Sequence, residues 1–282
     1  MAISPAERKR HWLRHPLLLL PAKAAVVIGT MVLTVRLFGH HRWSGGAQVL
    51  LIDPLTILVL LAVFAACTRY LEGRAVTELT LRGAARQAVA GFGLGALGFA
   101  IVIAVLAALG LYHVTGHNSV SILAVPLAGS LVGAVFEELL FRGVLFRVTE
   151  DWLGSYWALA ISSLFFGCAH LLNPHATWFA AIAIVIEAGV LLGAAYMLTR
   201  RLWLPVGIHA GWNFTQGGLF GVPVSGVASH GLLNATLSGG PVWLSGGEFG
   251  AEASVVAIVV CGAMGIALLA RAVPVPAGVD RG

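Results

Sequence analysis

Residues 88–112 read AVAGFGLGALGFAIVIAVLAALGLY and contain no charged side chain. A helix of about 20 apolar residues is long enough to cross the hydrocarbon core of a bilayer, so this run predicts a transmembrane helix. Similar apolar runs alternate with short charged clusters along the whole chain. Of all residues 59% are hydrophobic and only 10% are charged, whereas soluble domains are about a quarter charged. The sequence therefore predicts an all-α integral membrane protein and excludes a soluble one.

Eight apolar runs define the predicted transmembrane helices, which would form a single polytopic domain over residues 1–282. We place them at 17–38, 49–68, 88–112, 120–147, 156–173, 177–199, 203–220 and 252–270. The first run follows a basic cluster (Arg8, Lys9, Arg10 and Arg14) and has no small-residue cleavage site, so we predict a retained anchor helix.

Basic residues mark alternate connections between these helices. They are Arg69, Arg74, Arg82 and Arg86 in the second, Arg147 in the fourth, Arg200 and Arg201 in the sixth, and Arg271 and Arg281 in the tail. Connections 111–119, 174–176 and 221–251 contain no Lys or Arg, and only Arg42 in the first departs from the pattern. The positive-inside rule then predicts a multi-pass protein of the cell membrane with both termini in the cytoplasm. The net charge of +5 fits this bias and indicates no nucleic-acid partner.

Two other sequence features bear on packing and topology. The connection 221–251 is rich in Gly, Ser and Pro, and we predict that it has little structure of its own. The GxxxG pairs Gly91–Gly95 and Gly189–Gly193 permit close helix packing. With 35 glycines in the chain such pairs arise easily by chance, so they carry no functional prediction.

Charged side chains in the fourth predicted helix need an explanation, because each costs at least about 2.5–3.5 kcal/mol at bilayer depth. Glu137 and Glu138 lie about ten residues before the predicted helix end, roughly 13–15 Å deep. Adjacent positions point about 100° apart, so the two carboxylates cannot share one partner. Arg142 follows Glu138 by one helical turn, where an ion pair lowers the cost of burial. Glu137 is then free for chemistry, unless Arg142 pairs with Glu137 instead.

Histidines in two other predicted helices make packing alone a poor explanation for these charges. His170 lies in the fifth helix, and His209 and Asn213 lie four residues apart on one face of the seventh. A lone buried histidine is commonly a hydrogen-bonded packing residue, and an isolated Glu–Arg pair can serve only to fix helix packing. The whole set on three helices instead predicts that Glu137, His170, His209 and Asn213 converge on one water-accessible, intramembrane active-site cavity.

Three short motifs follow one another along these helices: Glu137-Glu138-x-x-x-Arg142, Phe166-x-x-x-His170 and His209-x-x-x-Asn213. In order and spacing they resemble the EExxxR, FxxxH and HxxxN motifs of the CAAX-processing and bacteriocin-processing (CPBP) family of intramembrane proteases, which includes type II CAAX prenyl endopeptidases. The resemblance extends over about residues 70–220, and we place the catalytic core at 120–220.

The resemblance implies roles for six of the seven motif residues in peptide hydrolysis. Glu137 would activate a water molecule as general base, and His170 would share that water. His209 and Asn213 would donate hydrogen bonds to the oxyanion. Glu138 would position the site together with Arg142. The candidate catalytic residues are thus Glu137, Glu138, His170, His209 and Asn213.

A metal-dependent site is the open alternative to this glutamate mechanism. If zinc is bound, its ligands would be Glu137, His170 and His209, with water in the fourth position. The resemblance favours the metal-free form, and Asn213 is a poor zinc ligand. Glu187, in the middle of the sixth helix, is a candidate accessory residue that would pair with the histidines or Arg142, or line a hydrated cavity. Lys23 lies near a span end, where we expect its amine to reach the membrane surface.

Two functions of different classes fit these residues. The first is an endopeptidase that cleaves a lipidated or membrane-associated protein or peptide within the bilayer. The second is a non-enzymatic membrane protein, either a proton-coupled transporter or a scaffold, that uses the same Glu/His set as a relay. The ordered motifs and the absence of an internal repeat favour the enzyme.

Overall fold

The computed structural model describes residues 15–38 and 45–278. It contains six helices that are long and apolar enough to cross a membrane, and we label them α1 to α6. They are Pro16–Phe38, Gln48–Glu72, Ala84–Ala108, Val120–Leu153, Ser155–Leu172 and Trp178–Thr199. The chain is therefore an all-α membrane protein, as predicted. The predicted basic cluster at 8–14 and the arginines at 42 and 281 lie outside the described residues.

The two remaining predicted spans are shorter helices. The seventh, α7, is Trp203–Asn213 and continues as the π-helical turn Phe214–Leu219. The last, α8, is Val255–Leu269. Within the described residues six helices meet the length expected of a span, so the number of eight crossings stays a prediction.

Connections gather into two groups, at opposite ends of the helices. Leu202 N–H donates to the Glu78 carbonyl, and Ser155 N–H donates to the Val275 carbonyl, which brings together the connections that carry most of the arginines. At the other end, Asn118 N–H donates to the Leu232 carbonyl. His175 Nδ1 there lies 3.0 Å from a carboxylate oxygen of Glu248. The connections predicted to share a side of the membrane thus lie together.

The prediction for 221–251 was wrong, because this connection is structured. Strand β2 (Leu233–Leu237) pairs antiparallel with β1 (Tyr112–His117), so its backbone groups are bonded to another connection. A short helix, Val242–Ser245, and a 3₁₀ turn, Ala251–Ala253, follow. The Tyr112 hydroxyl donates to the Phe220 carbonyl, and burial raises the pKa of this tyrosine to about 12. The Gly, Ser and Pro content reflects tight turns rather than absence of structure.

Helices α3 and α7 pack backbone against backbone along a seam of glycines, defined by Gly91, Gly95, Gly207 and Gly211. A β-carbon at position 95 would lie 2.0 Å from the Ile208 carbonyl oxygen, which is far inside van der Waals contact. On the opposing helix, a β-carbon at position 211 would lie 2.2 Å from a backbone oxygen of α3. The GxxxG pair of α3 therefore has a structural role that its sequence alone did not reveal.

Buried ion pairs hold the arginine-rich end together. Glu78 pairs with Arg74 at 2.5 Å and lies 3.6 Å from Arg147 of α4. Lys23 is fully buried, pairs with Glu72 and donates to Thr68 Oγ1 at 3.2 Å. The expectation that Lys23 reaches the membrane surface is wrong, because α2 supplies its partners inside the protein.

Helical geometry changes at several places along these helices. Five π-helical turns occur among the described residues: Gln48–Ile52, Thr68–Glu72, Leu139–Phe146, Val185–Val190 and Phe214–Leu219. Such turns are wider than α turns and are frequent at functional sites. One directly follows Glu138, one contains Glu187, and one directly follows Asn213.

Candidate active site

Helix α4 presents the first motif at the centre of the bundle. Glu138 and Arg142 are both fully buried, and Arg142 Nη1 donates to Glu138 Oε1 at 2.9 Å across one helical turn. Glu137 points elsewhere and keeps 27% of its side chain exposed. Of the two pairings left open by the sequence, the structure contains the one between Arg142 and Glu138.

Arg142 also ties α4 to the two helices beside it. Its Nη2 donates to the carbonyl oxygens of Ala188 at 2.9 Å and Gly189 at 3.2 Å, both within the π turn of α6. Its guanidinium carbon lies 4.6 Å from the centre of the Phe166 ring of α5, a cation–π distance. Arg142 is thus a structural centre for three helices as well as the counter-ion of Glu138.

His209 of α7 shares Glu138 with Arg142. Its Nδ1 lies 3.0 Å from Glu138 Oε1, the same oxygen that accepts from Arg142. An ionised carboxylate can only accept, so Nδ1 carries the proton. The other ring nitrogen, Nε2, lies 3.9 Å from Glu137 Oε2. Glu138 therefore fixes the orientation of His209 and turns its second nitrogen toward Glu137.

His170 closes the end of α5, where the helix tightens into a 3₁₀ turn. Its Nδ1 lies 2.8 Å from the Phe166 carbonyl oxygen. A carbonyl can only accept, so Nδ1 is the donor and a neutral ring has its lone pair on Nε2. The Phe166 ring packs against the rings of His170 at 4.8 Å and His209 at 6.1 Å. Phe166 thus orients both histidines, a role that its position in the second motif did not suggest.

The level of Glu137 along its helix differs from that predicted. Helix α4 continues to Leu153 instead of ending near residue 147, which places Glu137 farther from the arginine-rich end. Counted at about 1.5 Å per residue, Glu137 lies about 24 Å from Leu153, and His170 lies about 22 Å from Ser155, where α5 begins. The motifs of α4 and α5 thus stand at the same level.

A small cavity lies where these helices meet. His170, His209 and Asn213 line it, together with Glu187 and Glu252. Its volume of about 30 Å³ is enough for one or two water molecules, because a water needs roughly 10–15 Å³. Glu137 is not among its lining residues and reaches the cluster through His209. Of the four residues predicted to converge on one cavity, three line it directly.

Of the two acidic residues that line the cavity, only one is predicted from the sequence. Glu187 was a candidate accessory residue, and it lies in the cavity wall without an ion pair among the described residues. Glu252 was missed, because it stands at the predicted start of α8, where a charged residue is ordinary. Only the return of the 221–251 connection into the bundle brings Glu252 beside the histidines, and no local pattern reveals that return.

The zinc alternative does not fit the arrangement of side chains. No group of three or more His, Cys, Asp or Glu residues in the described part of the chain is placed to hold a metal ion. The predicted ligand set of Glu137, His170 and His209 is therefore not assembled around one point. The described residues therefore offer no assembled zinc site, and the metal-free mechanism stays a prediction.

All three motifs lie inside a segment that resembles a known family. Residues 118–215 match the family model of type II CAAX prenyl endopeptidase Rce1-like proteins. The segment is about a third of the chain, and the resemblance predicted from the motifs is confirmed over it.

A curated relative agrees with this match. The protein named "Putative membrane peptidase YdiL" from Bacillus subtilis (strain 168) is 31% identical over 93 residues. The aligned part covers 32% of this chain and 36% of that protein, so the chain spans about a third of the relative's length. No solved structure matches the chain.

Proposed function

We propose that this protein is an intramembrane endopeptidase that hydrolyses a peptide bond of a lipidated or membrane-inserted protein or peptide. The observation that carries the proposal is the cluster in which one oxygen of Glu138 accepts from both Arg142 and His209, while Glu137 lies beside the second nitrogen of His209. A packing role needs only the ion pair. The positioned histidine and the second, partly exposed carboxylate are what hydrolysis needs.

Glu137 is the general base of the proposed reaction. It takes a proton from a water molecule, whose oxygen attacks the carbonyl carbon of the scissile bond. His170 accepts a hydrogen bond from that water through Nε2, since its Nδ1 is held by the Phe166 carbonyl. The residues that act lie between 120 and 220, which we propose as the catalytic core.

His209 and Asn213 stabilise the oxyanion of the tetrahedral intermediate. Because Nδ1 of His209 donates to Glu138, the ring donates from Nε2 only as an imidazolium. Glu138 and the oxyanion itself offset that charge, because Glu137 is neutral once it has taken the proton from water. Glu138 and Arg142 act through His209 and are positioning residues.

A cleavage assay in a bilayer tests the proposed function. The purified protein is reconstituted in liposomes with three internally quenched peptides: one ending in a farnesylated CAAX sequence, the same peptide without lipid, and one carrying a transmembrane segment. Products are identified by mass spectrometry, with and without a zinc chelator. Glu137→Ala is compared with Glu248→Gln, which removes the charge of a carboxylate that is 83% exposed.

We expect a membrane-bound peptide to be cut at one bond, with cleavage reduced at least about 100-fold in Glu137→Ala and unchanged in Glu248→Gln or with chelator. Cleavage that survives Glu137→Ala would remove Glu137 as the base. Loss of activity with chelator and its return with zinc would overturn the metal-free mechanism. If none of the three peptides is cut, the proposed activity fails.

A further inference from the structure

The cavity beside the motif histidines has two carboxylates that the reaction described above does not use. Glu187 enters from the π turn of α6, and Glu252 enters from the 3₁₀ turn before α8. These residues are 3% and 2% exposed, respectively, so neither is solvated from outside the protein. Both line the same cavity as His170 and His209.

Polar atoms around this cavity are left without partners in a way that points to bound water. Oε2 of Glu187 and the indole nitrogen of Trp212 are buried and have no hydrogen-bond partner among the described residues. Trp212 also lines the cavity and is only 6% exposed. Buried polar groups are nearly always bonded, and the volume admits one or two waters that would bond both atoms. Glu252 is held in place by the backbone N–H of Ser225, which donates to its Oε1.

Among the described residues no positive charge pairs with the two carboxylates, and this bears on how many protons they hold. The titratable groups facing them are His170 from α5, His209 from α7 and Cys261 from α8. Arg142 lies close by, but it is bonded to Glu138 and to two carbonyl oxygens of the α6 π turn. No cation of the described residues is bonded to either carboxylate. Desolvation and like-charge repulsion both oppose two ionised carboxylates on one small cavity, so we expect the pair to keep one proton between them.

We propose that Glu187 and Glu252 form a proton-sharing pair that supplies the proton for the leaving amine during peptide hydrolysis. This inference rests on the proposed function. Water attacks the carbonyl carbon, and its proton moves to Glu137. Once the attacking water has left Nε2 of His170, that nitrogen takes a proton from the pair through the cavity water and passes it to the leaving nitrogen as the C–N bond breaks. Glu137 then releases its proton to water, and the pair takes one up from water, so the enzyme ends as it began.

The arrangement favours this role over a merely structural one. A packing residue at the position of Glu187 would be apolar or fully bonded, because an unpaired buried polar group costs about 1–3 kcal/mol. The leaving amine needs an acid; within the three motifs Glu137 becomes one only after it has taken the proton from water, whereas the cavity pair holds a proton from the start. Because the proton reaches the substrate through water and His170, neither carboxylate touches the reacting atoms. Both are therefore positioning residues, which hold the proton until it is needed.

Two independent methods, infrared spectroscopy and kinetics, test the pair on the whole chain in liposomes. Infrared difference spectra between acidic and alkaline buffer detect the carbonyl stretch of a protonated carboxylic acid. Cleavage of the best peptide from the assay above is followed from acidic to alkaline pH. The variants are Glu187→Gln and Glu252→Gln, which keep the shape of the side chain, and the exposed Glu248→Gln is the control. Thermal unfolding identifies any variant that fails to fold.

We expect the wild type and Glu248→Gln to show a buried carboxylic-acid band that both cavity variants lose. In each cavity variant kcat falls about tenfold or more, while KM stays within about twofold. The alkaline limb of the kcat profile, which reports the essential acid, disappears. The double variant is no slower than the slower single variant, since the two groups act as a unit.

Absence of the band in the wild type would overturn the shared proton. A band that is present together with unchanged kcat profiles in both variants would overturn the link to hydrolysis. If the wild type cleaves no peptide but shows the band, the proposed function fails, and so does the use of the proton in hydrolysis. A change in KM or stability alone would make the residues structural and overturn the proposal.

Discussion

At the scale of single residues, neighbouring glutamates of one helix have different surroundings. Glu138 is fully buried and bonded to two side chains, whereas Glu137 keeps 27% of its side chain exposed. The 100° step between adjacent helix positions separates them. We therefore expect that losing Glu138 harms the fold and that losing Glu137 harms only the reaction.

Glu138→Ala should lower the free energy of unfolding by about 3–5 kcal/mol, because Arg142 remains buried without its partner. Glu137→Ala should leave stability nearly unchanged and abolish cleavage. The double change Glu138→Ala with Arg142→Ala should recover part of the loss. Recovery stays partial, because Arg142 also donates to the carbonyls of Ala188 and Gly189. Thermal unfolding and cleavage in detergent, measured side by side, give the result. Equal destabilisation by both single changes would contradict the assignment.

The sequence predicts contacts within one helix better than contacts between helices. The Glu138–Arg142 pair follows from a spacing of four, which is a local rule. The bond between His209 and Glu138 joins residues that lie 71 apart, and only the packing of α4 against α7 decides it. The motif identifies Phe166 but predicts no role for it. In the structure its carbonyl and its ring orient His170, and its ring also packs against His209. The chemical types were therefore predictable, and their partners were not.

At the scale of helices, the glycine seam between α3 and α7 positions His209 and Asn213. No side chain separates the two backbones at Gly91 and Gly95. Helix α7 therefore cannot move away from α3 without losing this contact, and it cannot move closer without a backbone clash. In a bilayer, where lipid is as apolar as leucine, such close packing is a main source of helix association. The seam thus fixes the third motif from a helix that carries no motif.

Gly95→Ala should destabilise the protein by about 1–3 kcal/mol or more, because its new β-carbon would overlap the Ile208 carbonyl. Gly93→Ala is the matched control on the same helix, since nothing lies within 4 Å of the new β-carbon. It should be neutral or slightly stabilising, because Ala favours a helix over Gly. The unfolding temperatures of both variants in detergent decide the matter. Similar temperatures for the two would mean that the seam contributes little.

Helix ends were predicted less well wherever charges are neutralised by distant partners. The sequence ends the fourth span at Arg147, because charged residues follow. In the structure Arg147 pairs with Asp151 and lies near Glu78, and Glu150 pairs with Arg200, so α4 continues to Leu153. Glu78 and Arg200 come from two other connections. A local reading of hydropathy cannot include them.

At the scale of the whole molecule, the alternation of the connections was predictable because it follows from charge. The arginine-rich connections meet at one end and the arginine-free ones at the other. The β1–β2 ribbon was not predictable, because its strands lie more than a hundred residues apart and neither has a strong strand pattern. Which end faces the cytoplasm stays a prediction from the positive-inside rule.

Labelling with a membrane-impermeant maleimide tests the orientation. Cys67, Cys168 and Cys261 are first replaced, and single cysteines are introduced as Leu81→Cys and Val227→Cys. Both positions are exposed, at 78% and 57%, and they lie in connections at opposite ends of the bundle. We expect intact cells to label only Val227→Cys, and permeabilised cells to label both. Labelling of Leu81→Cys in intact cells would invert the predicted topology.

The π turns described above also determine where the chain tolerates a change of length. Removing one residue from a regular helix rotates everything beyond it by about 100°, so every face meets the wrong neighbour. A π turn contains a surplus residue, and its removal restores the α pitch while both flanks keep their orientation. We therefore expect a single-residue deletion in the turn Gln48–Ile52, away from the three motifs, to preserve the packing of α2. The turns after Glu138 and Asn213 are different, because there the surplus residue sets the angular offset between a motif and the rest of its helix.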